Sequence, residues 1–335
     1  MAEPENQQTA AEAPLEPGLP ICDPHHHLRE RPNDRYFLQE FIQDISTGHN
    51  VVATVCVENR AMYRKEGPEA IKPVGETEFF DNVAAQAAAD PNLSTRVAAG
   101  IVGHADLRLG EAVAQVLEAH LVASPNRFRG IRHSTTWDKN EAIRSDASPS
   151  LLADNTFRRG FACLKRYGLS FDAWLYHPQL PELVDLAHAF PDVTIVLDHI
   201  GGPLGVGPYK GKRDEVFRSW STAIANLSTC PNVSVKLGGV GSTRSGYDWH
   251  ERAVRPGSVE LANTMAPYFD FCIEKFGVHR CMFESNFPVD KASYSFVAIW
   301  NAFKRLTQGH SPAERQALFH DTATQVYRLA VTGEC

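Results

Sequence analysis

Short β-branched runs recur along this chain, each followed by a longer helical pattern, and the alternation repeats eight times. The predicted strands are Leu19–Asp23, Val51–Val57, Arg96–Val102, Phe128–Arg132, Leu169–Trp174, Val193–Leu197, Val233–Leu237 and Arg280–Glu284. Helical patterns lie between them at Glu76–Ala89, Gly110–Ala123, Leu151–Tyr167, Arg213–Leu227 and Val259–Phe276, with Gly168 and Gly277 at helix ends. Ser311-Pro312-Ala313-Glu314 opens a last helix as a capping box. Strands alternating with helices make a parallel sheet, and eight is the number that closes one. The expected fold is therefore a single-domain (β/α)8 TIM barrel over residues 19–335. A doubly wound open sheet is the alternative, but its phosphate loops are missing. Gly205-Val206-Gly207 lacks a third glycine, and Gly211-Lys212 fails the Walker pattern.

Active sites of such barrels sit at the carboxyl ends of the strands, so the residues that end each strand carry the argument. The first strand runs into Asp23-Pro24-His25-His26-His27. Alternation puts His25 and His27 on one face and His26 on the other, so two imidazoles share the barrel mouth. Other strand ends finish in Glu58, in Arg132-His133 (with Arg129 nearby), in Tyr176-His177, in Asp198-His199, in Lys236 and in Glu284-Ser285-Asn286. His120 and His188 fall in helical patterns and read as packing residues. His250-Glu251 fails the zinc-protease spacing at Val254, and there is no G-x-S-x-G elbow.

These motifs carry a resemblance. DPHHHL, RGIRH, LYHPQLPEL, VLDH before GGP, VKLGG and FESNFPVD, in that order from about Pro20 onward, are similar to the amidohydrolase-related family that contains 2-pyrone-4,6-dicarboxylate lactonase and sugar lactonases. More distant members are metal-dependent decarboxylases of aromatic acids. The resemblance implies a hydrolase that opens a lactone. It also implies a site built from His25, His27, His177 and His199, with His25, His27 and His177 as ligands of one divalent metal, zinc or manganese. Members of the lactonase group also work without a metal, so metal-free catalysis stays open.

One departure matters. Where relatives read G-S-D-W-P after the eighth strand, this chain reads Glu284-Ser285-Asn286-Phe287-Pro288. Asn286 cannot take a proton, but Glu284 shares its face, about 6–7 Å away along the strand. Glu284 is the expected base, with its pKa raised by burial, and Asp290 is the second candidate. Pairing of Glu284 with Lys236 is the structural alternative. The catalytic set is thus His25, His27, His199, Glu284 and Asn286.

Long loops add Arg60, Tyr63, Arg64, Lys72, Trp137, Arg244, Tyr247 and His250. Guanidinium forks suit carboxylates or phenolates, and aromatic rings suit a flat substrate. The expected substrate contacts are Glu58, Arg60, Tyr63, Arg129, Arg132, His133, Tyr176, Lys236, Arg244, Tyr247 and Asp290. The expected substrate is a small anionic lactone, with or without an aromatic ring; decarboxylation of an aromatic acid and ligand binding without hydrolysis are the alternatives. A net charge of -7 argues against a nucleic-acid partner. No apolar run reaches membrane length, and seven cysteines without a C-x-x-C pair suit a reduced, cytoplasmic protein. The polar stretch 1–18 reads as a disordered lead-in. Oligomeric state is not legible.

Overall fold

The computed structural model describes residues 12–31 and 34–329. Its eight-stranded parallel sheet is β1 (Pro20–His26), β2 (Asn50–Val57), β3 (Arg96–Gly103), β4 (Phe128–Arg132), β5 (Ser170–Ala173), β6 (Ile195–Leu197), β7 (Val233–Leu237) and β8 (Cys281–Phe283), hydrogen-bonded in that order. Closure comes just past the strand ends, where Asn286 N donates to His25 O at 2.9 Å and His27 N donates to Phe287 O at 2.8 Å. The predicted TIM barrel is present, with β5, β6 and β8 shorter than their apolar runs. A small antiparallel pair, Arg29–Arg31 with Asp34–Tyr36, follows β1. No helix among the described residues is long and apolar enough to cross a membrane.

Helices α1 (Leu38–Ile45), α2 (Val74–Ala89), α3 (Val113–Ala123), α4 (Asn155–Tyr167), α5 (Leu180–Ala189), α6 (Arg213–Ser228), α7 (Ser258–Phe276) and α8 (Phe296–Leu306) alternate with the strands. Two predicted starts move. Leu151–Ala153 is a separate 3-10 turn, because the Asp154 side chain caps Phe157 N and starts α4 there. Gly110 has a positive φ of 58°, so α3 begins only at Val113. The Ser311 capping box forms as expected.

The barrel interior is layered. Cys22, Val55, Val196 and Met282 form an apolar layer plugged by Ala323, Tyr327 and Leu329 from the chain's last described turns. Charged side chains sit above it. Outside, residues 12–18 are docked rather than loose. Lys304 Nζ donates to Leu15 O and Glu16 O at 2.7 and 2.9 Å, and Asn301 binds Glu12 and Ala13 O. The rest of the expected disordered lead-in, residues 1–11, lies outside the described residues.

Candidate active site

His25, His26 and His27 divide as alternation requires. His26 faces outward, stacks on Phe41 with ring centroids 4.0 Å apart, and meets Thr54 Oγ1 at 2.9 Å. His25 and His27 turn inward, with their Nε2 atoms 3.2 Å apart. His27 Nδ1 lies 2.8 Å from Val57 O, which only accepts, so that nitrogen carries the proton and Nε2 presents a lone pair. Burial, then His25 and Arg132, hold the His27 pKa well below the imidazole value, so the ring is neutral. His25 Nδ1 faces Glu284 Oε2 at 2.9 Å, and its Nε2 receives Arg132 Nη1 at 3.2 Å. Both Nε2 atoms present lone pairs, that of His25 shared with the Arg132 guanidinium, and two imidazole nitrogens so close can share a divalent cation. Asp198 stands beside His25, and the ligand atoms of His25, Asp198 and His199 all lie within 4.8 Å of one another. The residues present therefore fit a metal, with Asp198 supplying a carboxylate that Asn286 does not.

Beneath the histidines lies a network of fully buried charges. Lys236 Nζ reaches Asp172 at 2.6 Å, Asp198 at 3.0 Å and His25 Nδ1 at 3.1 Å. Tyr327 OH donates to Asp172 at 2.7 Å, tying the plug below to the site above. Arg132 donates to Glu58 at 2.8 Å and to Asp198 at 3.3 Å. Burying one of these charges alone would cost several kcal/mol, so each depends on its partners. Burial opposes ionisation of Asp198, yet Lys236 and His25 hold its pKa well below the usual carboxylate range.

Glu284 pairs chiefly with histidines, not with Lys236. Its Oε1 takes His199 Nδ1 at 2.6 Å and His199 N at 3.2 Å, while Oε2 faces His25. Burial pushes its pKa up, but His199 and His25 outweigh that and bring it down to about 2, which reverses the expected upward shift. The same pairing, working against burial, raises the His199 pKa above its ordinary value. A carboxylate ionised so firmly is a poor base; the imidazole it supports is a good one. His199 sits at φ 54°, and the edge of its ring meets Trp174 with centroids 4.8 Å apart. Two glycines make room for the pair. A Cβ on Gly238 would lie 2.4 Å from Glu284 Cγ, and one on Gly239, at φ 67°, would lie 2.2 Å from His199 Cγ.

The site opens into a cleft of about 470 Å³ whose walls include His27, Glu58, Arg60, Arg132, His199, Arg244 and Asn286 from the sequence expectations. Asn286 hands its side-chain N–H to Asp290 at 3.0 Å, and its Oδ1 is buried without a partner. The cleft also has walls the sequence reading missed: Arg29, Arg144, Asp146 and Trp174. Arg144 and Asp146 sit in the long loop after β4 with no motif to mark them. Asp198 was named at its strand end but given no role, and Asp172 was missed, although it interrupts an apolar run, which is the signal that could have found it.

Several expected residues lie elsewhere. His177, four residues beyond β5, turns away from the axis; its Nδ1 accepts from Leu204 N at 3.3 Å and its ring packs edge-on against Tyr209. It does not join the metal group. His133 accepts from Leu107 N at 3.2 Å and packs between His104 and Phe157. Arg129 belongs to a separate cleft at the strands' amino ends. Tyr247 stacks on Trp249 under Arg213, and Tyr63 is not among the cleft's walls. Asp290 is buried behind Asn286, held by Gly241 N and Tyr294 OH. Lys236 supports the site from below the cleft. Tyr176 lines a small adjoining cavity with Trp174 and His199, its hydroxyl donating to Arg144 O at 2.6 Å.

Comparison with known proteins agrees with the fold. An uncharacterized protein of Sinorhizobium fredii is 36% identical over 333 residues, covering 93% of this chain and 99% of its own length. An L-fucono-1,5-lactonase of Burkholderia multivorans is 27% identical over 233 residues, 69% of this chain and 72% of its own. The crystal structure of an amidohydrolase from Burkholderia multivorans with bound zinc superposes with a TM-score of 0.71 at 25% identity, over 92% of this chain and 99% of that one. Residues 22–329 match the amidohydrolase family model, and the chain belongs to that family.

Proposed function

We propose that this protein hydrolyses the ester bond of an anionic lactone. The observation that carries the reading is the His199–Glu284 pair, whose imidazole lines the cleft while its Nδ1 is held by a buried carboxylate. In the reaction His199 Nε2 takes a proton from water as the oxygen attacks the lactone carbonyl. The ring C–O bond then breaks, and His199 returns the proton to the leaving oxygen, giving an open-chain hydroxy acid or its tautomer. Glu284 fixes the imidazole's orientation and stabilises its charged form. Arg132, anchored by Glu58 and Asp198, gives the cleft floor a fixed positive charge near the developing oxyanion. A divalent ion, when bound by His25 and His27 with Asp198 alongside, supplies Lewis-acid polarisation of that carbonyl.

The substrate class follows from the walls. Arg29, Arg60, Arg132, Arg144 and Arg244 line the cleft against only Glu58 and Asp146 as acids. An excess of guanidinium favours carboxylate or phenolate groups, each charge-assisted hydrogen bond contributing about 1.5–3 kcal/mol. Two similar proteins offer a contrast: the L-fucono-1,5-lactonase is named for a neutral lactone, whereas a protein from Pseudomonas putida, of similar fold, is named for hydrolysis of the doubly charged 2-pyrone-4,6-dicarboxylic acid. The test is a pH-stat assay on both lactones. The anionic pyrone should turn over with a kcat/KM on the order of 10²-fold higher, as two such contacts imply. Preference for the neutral sugar lactone removes the anionic assignment. Carbon dioxide release from an aromatic acid without lactone opening replaces hydrolysis with decarboxylation.

A further inference from the structure

A second cleft, of about 440 Å³, lies at the amino ends of β3 and β4, the opposite end of the barrel from the histidines. Arg96, Arg127 and Arg129 line it with Ser94 and Asn126, and among the described residues no carboxylate lines it. Arg328, exposed at the rim, donates to Arg129 O at 3.1 Å. The guanidinium of Arg129 is pinned by the backbone carbonyls of Phe128 and Asn126, while its Nε is buried without a partner. Carbonyl oxygens satisfy the N–H groups but leave the charge uncancelled. Burial, then Arg328 and Arg127, push the Arg129 pKa below its ordinary value, as burial beside like charges does. Asp81 holds Arg127 at 2.8 Å, but it sits outside the cleft and also accepts from Ser124 at 2.6 Å. Ala84, Ala88 and Leu93 give the cleft an apolar wall.

We propose that this amino-end cleft binds a small multivalent oxyanion on a short carbon body, a di- or tricarboxylate or a phosphate ester. The ligand's charge offsets the crowded guanidiniums, Ser94 and Asn126 offer neutral donors, and the alanine wall meets the carbon chain. The walls of this cleft share no residue with the carboxyl-end cleft, so the site stands whether or not the proposed hydrolysis is correct.

Isothermal titration of the full chain with inorganic phosphate and with propane-1,2,3-tricarboxylate tests it, at an ionic strength held near ~0.15 M with sodium chloride. The tricarboxylate should bind with a Kd on the order of 10⁻⁴ M, more tightly than phosphate, and raise the thermal midpoint. Arg127→Gln and Arg328→Gln should each weaken binding by about 10-fold, equivalent to one lost charge-assisted contact; Arg328→Gln should leave the anion-free midpoint unshifted, and Arg127→Gln should lower it slightly as the pair with Asp81 is lost. Arg144→Gln with Arg244→Gln, in the other cleft, should leave the affinity unchanged. Three results overturn the proposal: no heat up to ~10 mM of either probe, binding undiminished in the Arg127→Gln/Arg328→Gln double variant, or binding lost in the Arg144→Gln/Arg244→Gln variant.

Discussion

His199 and His177 both follow short strands, both are almost fully buried, and both were read as members of one site. Their surroundings make them opposites. His199 meets a carboxylate carried across the barrel by the turn after β8, and that partner overcomes burial and raises its proton affinity. His177 meets a backbone N–H and a tyrosine ring, and burial brings its pKa down to about 4. His133, among His104, Asp106 and Phe157, falls to about 3, again mainly through burial. Position at a strand end does not make a histidine chemically active. An ionised partner on a different strand does, and only the closed barrel brings the two together.

The comparison is easiest to break at its strong end. His199→Asn should lower kcat for the best lactone by on the order of 10³ while KM changes only a few-fold, the signature of an interaction made mainly in the transition state. A kcat within ten-fold of wild type would return His199 to a binding role. Glu284→Gln keeps the shape and removes the charge, and should cost on the order of 10² in kcat. Adding Glu284→Gln to His199→Asn should cost little more than His199→Asn alone, since the carboxylate acts through the imidazole. Full additivity would show that Glu284 works independently. The smallest effect belongs to His177→Asn. Steady-state kinetics should stay within about 3-fold, with a stability loss near ~1 kcal/mol in denaturant titration from the weakened bond to Leu204 N. A collapse of activity to match His199→Asn would erase the contrast.

Most of the architecture was legible because periodicity is local. The strand–helix alternation located every barrel strand within a few residues, and period two put His25 and His27 together with His26 turned away. The site was legible only where local rules held. At β6 they fail after three residues, because His199 and Ile200 adopt left-handed backbone angles, so face counting could not tell that Asp198 and His199 serve the same site. Glu284 does stand among the histidines, but the direction of its pKa depends on His199, two strands away in the barrel order. Arg144 reaches the cleft from a loop with no periodicity at all. The segment at 12–18 has a disordered composition, yet it is held by Asn301 and Lys304, partners nearly 290 residues later in sequence.

Gly238 and Gly239 bear on how this protein can change over time. Any side chain at either position collides with Glu284 or His199, so this wall of the cleft is closed to mutational exploration. A descendant acquiring a new substrate has to do so through Arg60, Arg144 and Arg244, on loops that tolerate substitution and insertion. The chemistry and the choice of substrate are thereby separable traits, and selection can rewrite the second without touching the first.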